Sequence, residues 1–384
     1  DRLSPIARKV EREGTPNRRN VVLVFMESMS ANLMGTFGSD KKLTPYLDSL
    51  YQQSLSFSHF YSSGIHTNHG IYSTLYSFPA IMKRNAMKGS VIPVYSGLPT
   101  VLQENGYCNL FFMTHESQYD NMNAFLRTNG FDEIYAQENY PSEKVVNSFG
   151  VQDDFMYQYA LPILNERAGT GNPFFSVLLS ISNHPPYVIP PYFHPHSDVL
   201  EEQIVEYADW SIRQFMQAAE KQPWFDNTIF VFLGDHGKMV GTPECEMPQS
   251  YNHIPLMIYG KDIKPGVYDG FGGQVDVSPT LLGLLNISYL QNNFGVNLLE
   301  EERPCMFFTA DNLIGARDSV NMFIYSPDSQ QEFKYKLEEG KLHAATGTDE
   351  EAFRNLKDYC FSMLQSTESL VKEHKTLDKV SVKK

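Results

Sequence analysis

The adjacent residues Asp235 and His236 are the most specific candidate for a metal-binding or catalytic site in this sequence, and Gly234 and Gly237 flank them. A carboxylate and an imidazole can bind one divalent cation together, and the flanking glycines let the backbone approach that cation closely. The same pair is as typical of an Asx turn with an exposed histidine. Asp235-His236 therefore predicts a metal site only if further ligands reach it.

Candidate ligands follow three other apolar runs. The four runs that are typical of buried strands are Val21–Met26, Cys108–Met113, Phe174–Ile181 and Thr228–Leu233. Glu27 follows the first run, His115 the second and His184 the third. Taken singly, each has an ordinary structural role, such as capping the next segment or hydrogen-bonding a turn. If the runs are parallel strands of one sheet, their carboxyl ends meet at one edge and these side chains converge on one cleft.

Thr67 is the candidate nucleophile, in a short polar segment ahead of Ile71–Phe78, whose apolar spacing predicts a helix. A hydroxyl at a helix N-terminus faces backbone amides and the positive end of the helix dipole, which favours an anion. Threonine is a weak nucleophile unless a base or a metal activates it. Thr67 is also typical of a simple helix N-cap. The hydroxyls of Ser62, Ser63 and Ser73 stay open as alternatives.

The wider pattern alternates strands with helices. Helical spacing is found in Leu43–Gln53, Thr100–Asn105, Phe149–Asn165 and Leu200–Glu220, and Leu256–Tyr259 is a further strand candidate. Alternating elements with continuously apolar strands are typical of a sheet covered on both faces. The sequence thus predicts an α/β fold with a mainly parallel central sheet and helices on both faces.

Changes in residue composition and in apolar pattern divide the chain into four parts. Residues 1–19 are charged and predict a linker, and residues 20–303 hold the alternating elements. From Pro304 onward, short strands and a charged helix over Asp349–Ser366 predict a small α+β subdomain at 304–372. Residues 373–384 form a basic tail.

Composition excludes several classes of protein. The chain has 384 residues, with 31 Lys and Arg against 45 Asp and Glu, and its net charge of −14 disfavours nucleic acid as a partner. No apolar run approaches the roughly 20 residues that span a bilayer. The four cysteines form no CxxC pair, which argues against a zinc ribbon and leaves either one disulfide or free thiols.

Taken together, the motifs resemble the extracellular domain of lipoteichoic-acid synthases. The motifs that carry the resemblance are Asn20–Ser28, Thr44-Pro45-Tyr46-Leu47, the Thr67 segment, Ser182-Asn183-His184-Pro185 and Gly234-Asp235-His236-Gly237. These synthases are sulfatase-fold phosphoglycerol transferases of the alkaline-phosphatase superfamily, and the resemblance spans about residues 20–300. It implies transfer of a phospho-alcohol group through a covalent phosphothreonine.

The resemblance also implies a set of site residues. Glu27, Thr67, Asp235 and His236 map to the ligands of one divalent cation, with Mn²⁺ preferred and Mg²⁺ or Zn²⁺ as alternatives, and Thr67 is the nucleophile. His184 and His115 fall where the family contacts the substrate phosphate. Two further substrate contacts are predicted at Asn121 and His253, although a loop histidine ahead of Ile254-Pro255 is equally typical of a structural role.

Departures from the family pattern leave the reaction open. The Thr67 segment lacks the oxidisable Cys or Ser, the Pro and the Arg of true sulfatases, which argues against sulfatase chemistry by that route. The stretch Gln118–Met122 stands where the synthases carry a Phe-Trp-Asn-Arg-like sequence, and it has no Arg. The alternatives are a phosphodiesterase or phosphatase that uses water, a phosphoethanolamine transferase, and an inactive envelope-binding domain.

The resemblance finally implies partners and a location. The expected substrate is a phosphodiester carried by a phospholipid or a glycan. The domain is expected on the extracytoplasmic side of the cell membrane, to which a segment outside this sequence would tether it.

Overall fold

The computed structural model describes residues 3–346 and 350–378. Asp349, where the C-terminal helix was predicted to begin, and the end of the predicted basic tail lie outside these ranges. Within them, the α-helices are α1 Pro45–Gln52, α2 Thr67–Tyr76, α3 Leu98–Glu104, α4 Met122–Thr128, α5 Asp153–Ala168, α6 Leu200–Ala219, α7 Gln249–Asn252, α8 Val277–Leu284 and α9 Glu350–Lys372.

The strands in chain order are β1 Arg8–Val10, β2 Asn20–Met26, β3 Leu55–Tyr61, β4 Cys108–Met113, β5 Glu133–Tyr135, β6 Val145–Asn147, β7 Gly150–Val151, β8 Phe174–Leu179, β9 Thr228–Gly234, β10 Leu256–Tyr259, β11 Gly266–Gly273, β12 Tyr289–Gln291, β13 Met306–Thr309, β14 Ile314–Arg317, β15 Asn321–Ser326, β16 Gln331–Glu338 and β17 Lys341–Ala344. Short 3-10 helices span Ala31–Leu33, Gly35–Phe37, Tyr119–Asn121, Gln137–Asn139, Ser142–Lys144, Phe225–Asn227 and Gln274–Asp276.

A sheet of eight strands forms the centre of the fold, in the order β11-β3-β10-β9-β2-β8-β4-β5. β10 runs antiparallel to both of its neighbours, and every other adjacent pair in this sheet is parallel. The predicted α/β class with a mainly parallel sheet is confirmed. All four apolar runs are strands, and they are neighbours in the order β9-β2-β8-β4.

Both faces of this sheet are covered, as the apolar strands predict. Successive side chains of a strand point to opposite faces. In β2, Leu23 packs with α2, α3 and α8 on one face, whereas Val24 packs with α1, α5 and α6 on the other. Because every residue of β2 is buried, the strand contributes to both layers of the core.

The C-terminal part forms a second sheet, antiparallel throughout, in the order β13-β14-β15-β16-β17. One face of it packs against Phe353, Leu356 and Cys360 of α9. The other face packs against Tyr61 and Met247 of the preceding part of the chain. The small α+β unit is therefore seated on the larger one, and the exact boundary at residues 303 and 304 stays a prediction.

Near the N-terminus, β1 pairs antiparallel with β12, so part of the stretch predicted as a linker is hydrogen-bonded to the folded body. Across the described residues, no helix combines the length and the apolar composition that crossing a membrane requires.

Candidate active site

The carboxyl ends of the four adjacent strands place the predicted ligands at one edge of the sheet. Phe25 of β2 is in register with Leu233 of β9 on one side and with Leu179 of β8 on the other. Glu27 and Asp235 therefore emerge side by side. This convergence is what the strand-end pattern predicts for neighbouring parallel strands.

Glu27 and Asp235 form a pair of buried carboxylates, with 1% and 0% of their surface exposed. Backbone amides fix Asp235, because Oδ1 accepts hydrogen bonds from the N–H of Ser28 at 2.9 Å and from that of His236 at 2.7 Å. The Ser28 hydroxyl donates to Glu27 Oε1 at 2.6 Å. Both carboxylates are thus rigidly held, each with one oxygen left toward the centre of the site.

Thr67 reaches the same point from a different element. It is the first residue of α2, and its hydroxyl lies 2.8 Å from Asp235 Oδ2 and 3.3 Å from Glu27 Oε2. Helix α2 can come this close because residue 70 is a glycine. A Cβ at Gly70 would lie 2.1 Å from the Asp235 carbonyl oxygen. The close approach of α2 to the Asp235 loop therefore requires a residue without a side chain.

The ring of His236 is oriented by the backbone. Its Nδ1 lies 2.7 Å from the Gly237 carbonyl oxygen, which can only accept, so Nδ1 carries the proton in the neutral ring. Nε2 then presents a lone pair and lies 3.6 Å from Glu27 Oε1 and 3.5 Å from Asp235 Oδ2. Histidines that bind metals are commonly held by such a second hydrogen bond.

These groups fit a divalent cation. Ligand atoms of Glu27, Asp235 and His236 lie within 4.8 Å of one another, and the Thr67 hydroxyl contacts both carboxylates. Burial, and then the adjacent Asp235 carboxylate, raise the pKa of Glu27 well above its usual value. Two buried carboxylates in contact are costly unless a cation compensates them, so the donor set is one that a metal would stabilise.

His115 and His184 lie beyond the ends of β4 and β8, at the same edge of the sheet as the carboxylates. The His115 ring packs against Tyr119 at 4.7 Å, Tyr119 against Phe149 at 6.1 Å, and Phe149 against His184 at 4.2 Å, between ring centroids. In both histidines Nδ1 contacts the carbonyl oxygen of the next residue. Burial lowers the pKa of His115. A neutral His115 presents Nε2 as an acceptor, which suits a hydroxyl better than a phosphate oxygen.

The two remaining predicted contacts are placed differently. Asn121 belongs to the segment beside the Thr67 loop, since Asn68 donates to Asp120 at 3.2 Å, but its own amide donates to the Met87 carbonyl at 2.8 Å. The His253 ring stacks on Tyr61, and its Nε2 lies 2.8 Å from the Ser58 carbonyl oxygen. The structure therefore brings Asn121 near the Thr67 loop, whereas the His253 ring is held against β3.

Lys238 is a candidate site residue that the sequence reasoning missed. Its Nζ donates to Asn183 Oδ1 at 2.6 Å and lies 5.5 Å from the centroid of Tyr187. Burial lowers the pKa of Lys238 to about 8, although the nearby Glu201 and Glu27 carboxylates oppose the shift. Asn183 in turn donates to the Ser28 carbonyl, which ties Lys238 to the carboxylate loop. Its place directly after Gly234–Gly237 is the signal that could have indicated it.

Among the described residues, all four cysteines are free thiols, and those of Cys305 and Cys360 are buried. Of the two possibilities that the sequence left open, the structure shows free thiols.

Comparison with known proteins identifies related chains. Residues 19–287 match the family model described as sulfatase. The lipoteichoic acid synthase-like protein YvgJ of Bacillus subtilis is 25% identical over 76% of this chain and 51% of its own length. The lipoteichoic acid synthase of Staphylococcus aureus is 23% identical over 82% of this chain and 53% of its own length. The chain thus spans about half the length of these curated relatives.

Solved structures share the whole fold. A protein of the alkaline phosphatase superfamily from Vibrio parahaemolyticus superposes with a TM-score of 0.88 at 26% identity, over 97% of this chain and 92% of that one. The lipoteichoic acid synthase LtaP from Listeria monocytogenes superposes with a TM-score of 0.78 at 22% identity, over 92% of each chain. The predicted resemblance is therefore confirmed for family and fold.

Proposed function

This chain belongs to the sulfatase family, and on that premise we propose that it is a metal-dependent enzyme that transfers a phospho-alcohol group through a covalent phosphothreonine at Thr67. The observation that carries the proposal is the Thr67 hydroxyl, held at the start of a helix within 3.3 Å of two buried carboxylates. The relatives named lipoteichoic acid synthases support a phosphoglycerol-like group.

We assign the metal to Glu27, Thr67, Asp235 and His236. Three of these groups offer oxygen and one offers an imidazole nitrogen, which suits Mn²⁺ or Mg²⁺ and also permits Zn²⁺. When bound, a divalent cation lowers the pKa of a neighbouring hydroxyl and offsets negative charge on phosphoryl oxygens. Mn²⁺ is the first choice because oxygen ligands predominate.

Residues of the chain itself would carry out the proton transfer, the attack on phosphorus and the binding of the phosphate oxygens. Asp235 Oδ2 accepts the hydrogen bond of the Thr67 hydroxyl and is placed to receive its proton. Thr67 Oγ1 then forms a bond to phosphorus while the bond from phosphorus to the donor alcohol breaks, and the alcohol leaves with a proton taken from the solvent. A second hydroxyl, from an acceptor or from water, attacks the phosphothreonine and gives its proton to the solvent, while the Thr67 oxygen leaves phosphorus and takes its own proton back from Asp235. We assign Lys238 and His184 as the contacts for the phosphate oxygens.

The proposed substrate is a phosphodiester on a phospholipid or a glycan, and the proposed location is the extracytoplasmic face of the cell membrane. Thr67 does not carry the residue pattern that yields the formylglycine of true sulfatases, so phosphoryl rather than sulfuryl transfer is the better match. A hydrolase with the same residues differs only in using water as the acceptor.

Turnover of a chromogenic phosphodiester with Mn²⁺ tests the proposal. We expect Thr67→Ala to lower turnover by at least about 10³-fold, because no other hydroxyl contacts both carboxylates among the described residues. Thr74→Val is the matched control. Thr74 lies on the same helix, is buried, and has a hydroxyl without a partner in the described part of the chain. Its variant should keep turnover within about twofold of the parent.

The products separate transfer from hydrolysis. With glycerol present as an acceptor, a transferase releases a glycerol-containing phosphodiester, whereas a hydrolase releases the phosphomonoester in the same yield with or without glycerol. A Thr67→Ala variant that folds and stays active would overturn the phosphothreonine, whichever acceptor is used.

A further inference from the structure

A cavity lies at the seam between the central sheet and the C-terminal sheet. It has a volume of about 530 Å³. Its walls include His59 and Tyr61 at the end of β3, Gln249 of α7, Arg317 at the end of β14, and Lys341 and His343 of β17. We call it the Arg317 cavity. Its lining is rich in basic side chains, although the chain as a whole carries a net charge of −14.

Arg317 is the central feature of this cavity. The residue is 7% exposed, its Nη1 donates to Gln249 Oε1 at 2.9 Å, and its Cζ lies 5.4 Å from the Tyr61 centroid and 5.8 Å from that of Phe271. No carboxylate lies within the 4 Å ion-pair distance of its guanidinium among the described residues. The aromatic rings, the Gln249 amide and the Asp318 carbonyl oxygen, which accepts from Nε at 3.5 Å, orient the group, but no acidic side chain of the described residues pairs with it.

Two other buried arginines of this chain, Arg303 and Arg19, each have an acidic partner. Arg303 pairs with Asp276, to which its Nε donates at 2.9 Å, and Arg19 lies 3.7 Å from Asp262. Glu244 is the acidic residue in the wall of the Arg317 cavity, and its Oε1 accepts the backbone N–H of Gln249 at 2.7 Å. A buried cation without a counter-charge is costly, and a guanidinium binds planar or tetrahedral oxoanions through two parallel hydrogen bonds.

We propose that the Arg317 cavity is a second binding site, which takes the oxoanion of a small organic molecule onto Arg317 with Lys341 and His343 at its mouth. The volume falls in the range of small-molecule sites and exceeds what one free ion fills. Val240, Leu337 and Leu342 provide apolar walls for the body of the ligand. None of its lining residues is among the four assigned metal ligands, and the proposal does not depend on the reaction assigned to those ligands.

Calorimetric titration of the Mn²⁺-loaded chain with phenyl phosphate, benzoate and benzyl alcohol tests the proposal. The three probes share a body and differ in the group that meets Arg317. We expect phenyl phosphate or benzoate to bind and benzyl alcohol not to bind. Whichever of the two anions binds identifies the oxoanion as a phosphate or a carboxylate. Binding of neither anion outside the carboxylate centre would overturn the proposal.

Two variants assign the binding to its site. Asp235→Asn disables the carboxylate centre and should retain anion binding in the Arg317 cavity. Arg317→Gln should weaken that binding at least about tenfold, because a charge-assisted pair of hydrogen bonds is lost. Arg127→Gln is the control, since Arg127 bonds Asn123 on the exposed side of α4. Anion binding that survives Arg317→Gln, or that disappears only with Asp235→Asn, would contradict the proposal.

An exposed residue keeps the test decisive if Arg317→Gln fails to fold. His343 lies on the surface of β17 and lines the cavity. His343→Glu places a negative charge at the mouth and should weaken anion binding several-fold, whereas the neutral His343→Gln should have a smaller effect. Equal affinity in these two variants would overturn the site.

Discussion

Two regions of this molecule bury charge without compensating it, and they do so with opposite signs. At the strand ends, Glu27 and Asp235 place two carboxylates in contact, whereas at the seam between the sheets Arg317 holds a guanidinium with no acidic partner within ion-pair distance in the described chain. Folded proteins rarely retain such charges unless a ligand satisfies them. The contrast predicts a cation at the first region and an anion at the second.

The two regions also differ in how they are built. Backbone amides and the end of a helix hold the carboxylate centre, so its geometry follows from the parallel sheet itself. The Arg317 cavity is assembled from side chains of two packed units. The geometry of the carboxylate centre is therefore fixed by the fold, as preorganised catalysis requires. The geometry of the Arg317 cavity depends on how the C-terminal sheet packs against the central sheet.

The largest expected effect comes from removing half of the carboxylate pair. Asp235→Asn should lower turnover at least about 10³-fold, because a metal ligand is lost next to the nucleophile. Its amide oxygen can still accept the N–H of Ser28 and of His236, so the loop should keep its shape. In the presence of a chelator the variant should unfold at a temperature no lower than the parent, since it relieves like-charge repulsion with Glu27.

Turnover of the chromogenic phosphodiester measures the first half of that prediction, and thermal unfolding with and without Mn²⁺ measures the second. The parent should gain stability from the metal by mass action, and the variant should gain little. A variant that is as strongly stabilised by Mn²⁺ as the parent would show that the cation binds elsewhere.

The second prediction compares a paired with an unpaired buried arginine. Arg303→Met leaves Asp276 buried without its partner and should lower the free energy of unfolding by about 3–5 kcal/mol. Arg317→Met removes a charge that no carboxylate in the described part of the chain balances, so the loss of its amide hydrogen bond and ring contacts should cost about 1 kcal/mol or less. Urea unfolding followed by circular dichroism gives both values. Equal losses in the two variants would mean that the protein itself neutralises Arg317.

Much of the fold could be predicted because the central strands are apolar on both faces. The apolar runs that form β2, β4, β8 and β9 could be recognised as strands from the local sequence pattern alone. β3 contains three polar residues in an irregular order and β11 contains four glycines in eight residues, so neither has the continuous apolar run of a buried strand. The antiparallel direction of β10 could not be predicted either, because the direction of a strand is set by the connections between elements and not by the residues within the strand.

The same distinction holds for the two charged regions. Glu27 and Asp235 could be predicted to meet because both follow strands, and strand ends share an edge. Lys238 could have been indicated by its position directly after Gly234–Gly237, but its contact with Asn183 depends on side-chain placement that only the three-dimensional fold shows. Arg317 could not be recognised at all. Its significance lies in the absence of a carboxylate nearby in the described structure, and sequence does not show which charges are paired.

The smallest predicted effect concerns the loop that separates the two regions. Lys238 contacts Asn183 at the carboxylate centre, whereas Val240 lines the Arg317 cavity. Lys238→Met should raise the KM for a phosphodiester about tenfold, equivalent to about 1.4 kcal/mol, with a smaller change in kcat. The reason is that an ammonium attracts the phosphate similarly in the ground state and the transition state. Lys238→Arg should recover part of the loss because it keeps the charge.

Steady-state kinetics of Lys238→Met and of the control variant Lys83→Met measure these changes in KM and kcat. Lys83 is exposed and pairs with Asp328, so its loss should leave both constants unchanged. Anion affinity in the Arg317 cavity should stay the same in Lys238→Met, because Arg317 and its own contacts are untouched. If the one substitution weakens both activities together, the loop couples the two regions, and they must be treated as parts of a single extended site.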